Sequence, residues 1–200
     1  MIGSEPEADR GPQPGSPAGV VVAPDILSTW LVSTACVSGR VRLLSSPSVK
    51  IRKATIEDAA ALTAIAHDAK RHWGYPEHWI KHWQDDLTIS PDFVAANQVY
   101  VAECDNELLG FYALIIRKEK AELDHLWVAP AYIGTGVGKE LFLHAMESAA
   151  RRNIPEVEIL SDPNAEGFYR KMGAHRIGEI VSEIDDEARA LPRLTVDPKS

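Results

Sequence analysis

Glu122-Leu-Asp-His-Leu-Trp-Val-Ala-Pro-Ala-Tyr-Ile-Gly-Thr-Gly-Val-Gly-Lys139 reads as a strand, a glycine-rich turn and the opening of a helix. Leu126, Trp127 and Val128 have the character of a buried strand, and Pro130, which has no N–H to donate, ends the ladder. Gly134, Gly136 and Gly138 alternate, so the backbone turns tightly and no side chain shields its amides. From Lys139, residues Leu141, Phe142, Ala145, Met146, Ala149 and Ala150 fall on one helical stripe. Unshielded N–H groups that lead into a helix N-terminus make an anion site. The turn is therefore expected to hold a pyrophosphate or a similar group.

Two common phosphate turns fail on register. A nucleotide P-loop needs a Gly five residues before its Gly-Lys pair and a hydroxyl after it, but Gly138-Lys139 has Ile133 and Glu140 there. A dinucleotide fingerprint needs Gly-x-Gly-x-x-Gly; counted from Gly134 it ends on Lys139, and from Gly136 on Leu141. A plain strand-to-helix connection also explains the segment taken alone. The turn resembles the acyl-CoA turn of the GNAT N-acetyltransferase superfamily, Gln/Arg-x-x-Gly-x-Gly/Ala after a Val-x-Pro strand end. Val128-Ala129-Pro130 and Gly136-Val137-Gly138 match it, and Ile133 stands where the family has Gln or Arg.

Composition narrows the setting. The 200 residues suit a single domain with a core that needs no metal or disulfide staple. A formal net charge of -8 argues against a nucleic-acid partner and is compatible with a cationic amine. Cys36 and Cys104 are far apart, with no metal-ligand spacing and no disulfide framework, so a reducing, cytoplasmic compartment is expected. No apolar run approaches a membrane span, so no membrane partner is expected.

Residues 1–48 are expected to be an extension, disordered at its Pro-, Gly- and acid-rich start, with an apolar patch at 26–37. The domain is expected over 49–200. A short strand at 49–54 leads to Thr55-Ile-Glu-Asp58, a capping box, and then to a helix with Leu62, Ile65, Ala66 and Ala69 on one face. After Gly74-Tyr75-Pro76 a second helix carries Trp79 and Trp83 one turn apart, near His72, Trp73, His78 and His82. Packing of the tryptophans on the sheet accounts for each residue; as a group they are expected to wall an acceptor pocket. Metal ligation is not expected, because His78 and His82 lack a Cys or carboxylate at a ligand spacing. Two strands at 98–103 and 108–116 join at Asp105-Asn106, and a turn at 118–120 feeds the quoted strand. Beyond the helix, the strand Val157-Glu-Ile-Leu160 returns as a parallel βαβ crossover.

Ser161-Asp-Pro-Asn-Ala-Glu-Gly-Phe-Tyr-Arg-Lys-Met-Gly-Ala174 follows directly. Asp162 is placed to cap a helix, Pro163 to open it and Gly173 to end it. The stretch resembles the second acyl-CoA motif of the same superfamily through Asn164, Phe168, Tyr169 and Gly173. Two motifs in this order, one helix and one strand apart, are far more specific than either alone. The resemblance runs from about Ile51 to Pro192 and implies an α/β (α+β) GNAT fold: a mixed, mostly antiparallel sheet with one parallel βαβ crossover, helices on both faces, and 176–194 as two closing strands.

The resemblance also implies the chemistry. Acetyl-CoA enters a V-shaped splay between the quoted strand and the Val157 strand. Backbone groups of Leu126, Trp127 and Val128 pair with pantetheine, and a free N–H near Val128 supplies the oxyanion donor. The amides of Ile133, Gly134, Thr135, Gly136, Val137, Gly138 and Lys139 cradle the pyrophosphate, while Asn164, Phe168 and Tyr169 complete the site. Tyr169 is the expected general acid toward the leaving thiolate. Glu122 stands eleven positions before Ile133, the family spacing for a catalytic base, with Asp124 and His125 as neighbouring alternates and alternation placing Asp124 on the Glu122 face. A solvent-exposed Glu122 paired with Lys118 or Lys120 is the competing reading. The expected activity is transfer of acetyl to a primary amine of a small molecule or peptide, with no metal; transfer of another acyl group, or a regulatory acyl-CoA-binding module, is the alternative. A homodimer is common in the superfamily.

Overall fold

A computed structural model describes residues 49–185 and 187–199. The extension 1–48, with the 26–37 patch and Cys36, lies outside the described residues. Seven strands form one sheet in the order β1-β2-β3-β4-β5-β7-β6: β1 Lys50–Lys53, β2 Gln98–Cys104, β3 Glu107–Arg117, β4 Lys120–Val128, β5 Val157–Leu160, β6 His175–Ile184 and β7 Glu187–Val196. Only β4 and β5 pair in parallel, which is the expected crossover. The two closing strands are present, but the last one inserts between β5 and β6.

Local chemistry sets the connections. Asp105 and Asn106 take φ of 49° and 68°, the left-handed pair that a two-residue hairpin demands and that short polar side chains tolerate. The Thr55 N–H donates to the Asp58 carboxylate at 2.8 Å, and Arg52 grips the same carboxylate at 2.7 and 3.0 Å. That box opens α1, Ala59–His72, which buries Leu62, Ile65, Ala66 and Ala69 as expected and Lys70 in addition. Three short helices follow: α2 Glu77–His82, α3 Gln84–Leu87 and α4 Pro91–Ala96. The last is capped by Ser90, whose hydroxyl accepts from the Phe93 N–H at 3.0 Å.

Two apolar layers sandwich the sheet. On one face Leu109, Tyr112, Leu126 and Val128 pack against α5, Val137–Ala150, through Leu141, Phe142 and Ala145. On the other, Val99, Phe111 and Trp127 pack against Leu62 and Ala66 of α1. The α5 helix starts two residues earlier than its apolar stripe indicates, because Gly136 at φ 98° turns the chain directly into it. Strict alternation along β4 is also interrupted. The β3 register moves from Ala113↔His125 to Leu114↔Leu123, which leaves Asp124 as the extra residue of a bulge.

Gly110 is required by close approach. A Cβ there would lie 2.5 Å from the Trp127 carbonyl oxygen and 3.1 Å from Val128 Cα, so any side chain pushes β3 off β4. Gly110→Ala is expected to lower stability by about 1–3 kcal/mol in urea unfolding, the usual range for overpacking; an unchanged midpoint would contradict this role.

Candidate functional site

The sheet opens where β4 and β5 part. They share only the rungs Ala121↔Val157 and Glu122↔Glu158, after which β5 continues along β7 while β4 runs on to Val128 paired with β3 alone. Ala129 N–H donates to Leu109 O at 2.8 Å, so by antiparallel alternation Trp127 spends its backbone groups on β3 while Leu126 and Val128 turn theirs to the gap. Both are buried. A buried strand edge without partners is costly and invites a ligand that adds a strand.

At the wide end of this gap lies the glycine turn. Gly134 (φ 79°) and Gly136 (φ 98°) hold left-handed conformations that other residues resist. The first helical bond of α5 is Glu140 N–H to Gly136 O at 3.1 Å, so the amides of Val137, Gly138 and Lys139 have no helical acceptor. Thr135 is exposed and its hydroxyl donates to Tyr132 O at 2.6 Å. The Ile133 N–H points back to Pro130 O at 3.4 Å, and its side chain packs against both apolar layers. Ile133 is thus a wedge where the superfamily places a polar residue.

Asp162 caps the second motif as expected, accepting from Asn164 N–H at 3.0 Å. Behind it, α6 (Glu166–Lys171) carries Phe168 and Tyr169, whose rings pack against each other and against Phe142 at 5.3–6.0 Å. Tyr169 is 0% exposed and its hydroxyl has no hydrogen-bond partner among the described residues. Burial, with the charge of Asp162, raises its pKa well above the usual value, so it stays a proton donor. An orphaned hydroxyl, free amides and an unpaired strand edge are the groups that the thiol, pyrophosphate and pantetheine of a coenzyme A ester would meet.

Glu122 sits at the closed end of the gap. A pocket of about 200 Å³ there is lined by Ile115, Arg117, Lys120, Ala121, Glu122 and Glu158. Burial, then Asp124, raises the Glu122 pKa, against the pull of Arg117. Burial pushes Asp124 up to about 6. Its Oδ2 lies 3.1 Å from His125 Nε2, and His125 Nδ1 accepts from Trp127 Nε1 at 3.1 Å, so Nε2 is the nitrogen that carries the proton. Burial lowers the His125 pKa to about 4, which keeps the ring neutral. Among the described residues no group of three or more His, Cys, Asp or Glu is placed to hold a metal ion. No helix among them is long and apolar enough to cross a membrane.

One cluster escaped the sequence. Lys70 and Asp162, 2% and 0% exposed, form a buried ion pair at 2.7 Å between α1 and the second motif. Tyr75 donates its hydroxyl to Asp162 at 2.9 Å and accepts from Asn164 Nδ2 at 3.0 Å and from Arg189 Nη2 at 2.8 Å. Trp83 and Tyr75 stand 4.3 and 4.9 Å from the Lys70 ammonium. The one sequence signal was Lys70 itself, four residues after Ala66 on an otherwise apolar face. Tyr75 and Trp83 of the aromatic segment thus join this network.

Comparison with known proteins identifies the family. A model of the acetyltransferase (GNAT) family matches residues 60–174. A spermidine N(1)-acetyltransferase of Thermoplasma acidophilum is 30% identical over 142 residues, covering 63% of this chain and 88% of that one. A peptidyl-lysine N-acetyltransferase of Salmonella typhimurium is 33% identical over 108 residues, covering 52% and 68%. The crystal structure of an N-acetyltransferase of T. acidophilum in complex with coenzyme A superposes with a TM-score of 0.60 at 25% identity, covering 75% of this chain and 99% of that one.

Two stability measurements check the buried charges. Asp162→Ala strands the Lys70 ammonium and is expected to cost about 3–5 kcal/mol, more than Asp162→Ala adds once Lys70→Met is present. Asp124 titrates above its ordinary value of about 3.9. The stability carried by its neutral form is full below pH of about 4 and lost as pH rises through about 6. Asp124→Asn therefore raises Tm at pH 8, by up to about 3 kcal/mol of linkage, and leaves it unchanged at acid pH; an equal Tm at both would contradict the shift.

Proposed function

The chain belongs to the acetyltransferase (GNAT) family and is an acetyltransferase, and from that premise we propose that it moves acetyl from acetyl-CoA to a primary amine of a small molecule or peptide by direct attack. The observation that carries this reading is the unpaired, buried edge of β4 at Leu126 and Val128, leading to the free amides of Val137, Gly138 and Lys139. In this reading those amides hold the pyrophosphate, the edge pairs with pantetheine, and Val128 N–H faces the thioester oxygen as charge develops there. Gly134 and Thr135 shape the turn, Ile133 braces it from the core, and Asn164 and Phe168 close the site around Tyr169.

Acyl transfer needs a proton removed from the amine and one delivered to the departing sulfur. We assign delivery to the Tyr169 hydroxyl, since burial keeps it protonated and nothing else uses it. We assign removal to Glu122 at the closed end of the gap, acting through a chain of waters because six positions of β4 separate it from Val128. Asp124 is the second candidate because burial holds it at about 6, close to the pH of function. The named activities of the relatives support an acceptor amine on a polyamine or a lysine. Use of acetyl-CoA as donor implies a cytoplasmic setting.

The test is acetyl-CoA consumption against a panel of amines. Tyr169→Phe is expected to slow turnover by roughly 10²–10⁴-fold while acetyl-CoA still raises Tm. Acetyl-CoA binding with no acceptor-dependent turnover would overturn the assignment. An acidic limb in kcat/KM that vanishes in Glu122→Gln identifies Glu122 as the base; a limb near pH 6 that vanishes only in Asp124→Asn transfers the role.

A further inference from the structure

The Arg189 guanidinium is bound in an unusual way. Its carbon lies 4.9 Å from the Tyr75 ring, 5.4 Å from Trp79 and 5.0 Å from Trp83. The three rings brace one another, with Tyr75 and Trp79 stacked at 6.0 Å and Trp83 edge-on to both at 5.3 and 5.8 Å. The side chain is 11% exposed, yet its one hydrogen bond among the described residues is Nη2 to the Tyr75 hydroxyl at 2.8 Å. Asp162 stands 3.6 Å away, beyond hydrogen-bond reach, and is already committed to Lys70, Tyr75 and Asn164. Arg193, four residues along the same strand, holds Glu158 at 3.1 Å.

Contact with three rings holds a guanidinium in place, and only Nη2 has an acceptor among the described residues. Two cations, Lys70 and Arg189, here share one carboxylate, Asp162. A planar, fixed fork with unused donors and a surplus of positive charge is complementary to a carboxylate. Position agrees. The last β5–β7 rung is Leu160↔Arg193, so Arg189 lies on the part of β7 that overhangs the gap beyond β5, whereas Glu122 and Glu158 form the rung at the gap's closed end. Arg189 therefore lies toward the open end of the gap, where β4 ends at Val128.

We propose that Arg189, held by Tyr75, Trp79 and Trp83, anchors a carboxylate of the acceptor, which makes the acceptor a small amino acid whose amine is acetylated. The proposal rests on the N-acetyltransferase reading above and narrows its substrate class. Arg189 binds the carboxylate through its N–H donors, and the amine is left facing the end of β4 at Val128.

The test compares amino acids with the amines obtained by removing their carboxylate, lysine against cadaverine being one such pair, on the wild-type enzyme. The acid is expected to exceed its partner in kcat/KM by about 30-fold or more, the scale of a desolvated charge pair. In Arg189→Met that ratio is expected to fall to near unity, and circular dichroism and Tm establish that the variant folds. Equal or better turnover of cadaverine and spermidine by the wild type overturns the proposal and leaves the acetyltransferase standing. Acetylation of no amine at all, with acetyl-CoA bound, overturns both. A ratio that persists in folded Arg189→Met overturns Arg189 as the anchor.

Discussion

The departure of β5 from β4 after two rungs governs the rest of the molecule. It leaves Leu126 and Val128 buried with backbone groups on an edge that no strand among the described residues covers. Elsewhere such an edge would be paired, shielded by charge or lost to aggregation. Here everything nearby keeps it open. Gly110 lets β3 press close enough to fix β4 from the other side, β7 draws β5 away, and α5 begins at the gap's mouth with free amides. The unmet hydrogen bonds of one strand and one helix terminus together describe the shape of a coenzyme A ester.

The buried Lys70–Asp162 pair is the second constraint. Taking two charges out of water costs several kcal/mol, and a pair of apolar residues often serves stability as well. What the pair does give is connection. Asp162 caps the segment that leads to Tyr169, takes the ammonium of α1, and accepts the hydroxyl of Tyr75, which in turn meets Arg189 of β7. Elements far apart in the chain thereby hold the wall of the gap in one arrangement. The same carboxylate raises the Tyr169 pKa and so helps to keep that hydroxyl protonated.

Much of this was legible in the sequence wherever the cause was local. Asp105-Asn106 announced a left-handed turn, Thr55 and Asp58 a helix start, and Asp162-Pro163 a cap, because each depends on residues within one turn of one another. The resemblance of two stretches to acyl-CoA motifs was legible for the same reason. What escaped depends on distance. Lys70 meets Asp162 across 92 positions, and Arg189 meets Tyr75 across 114. The insertion of β7 beside β5 is a choice between edges that strand patterns leave open. The bulge at Asp124 adds a residue to one strand without changing its composition, so simple alternation along β4 could not reveal it. Ile133 looked like a lost ligand and is a packing wedge, since only the fold reveals the two apolar layers that meet at it.

The most direct check of the account is amide hydrogen exchange followed by NMR as acetyl-CoA is added. Exchange at Leu126, Val128, Val137, Gly138 and Lys139 is expected to slow together by about tenfold or more, as unpaired donors gain acceptors. Saturable binding that leaves those amides as fast as before would mean that the ligand does not lie in the gap between β4 and β5.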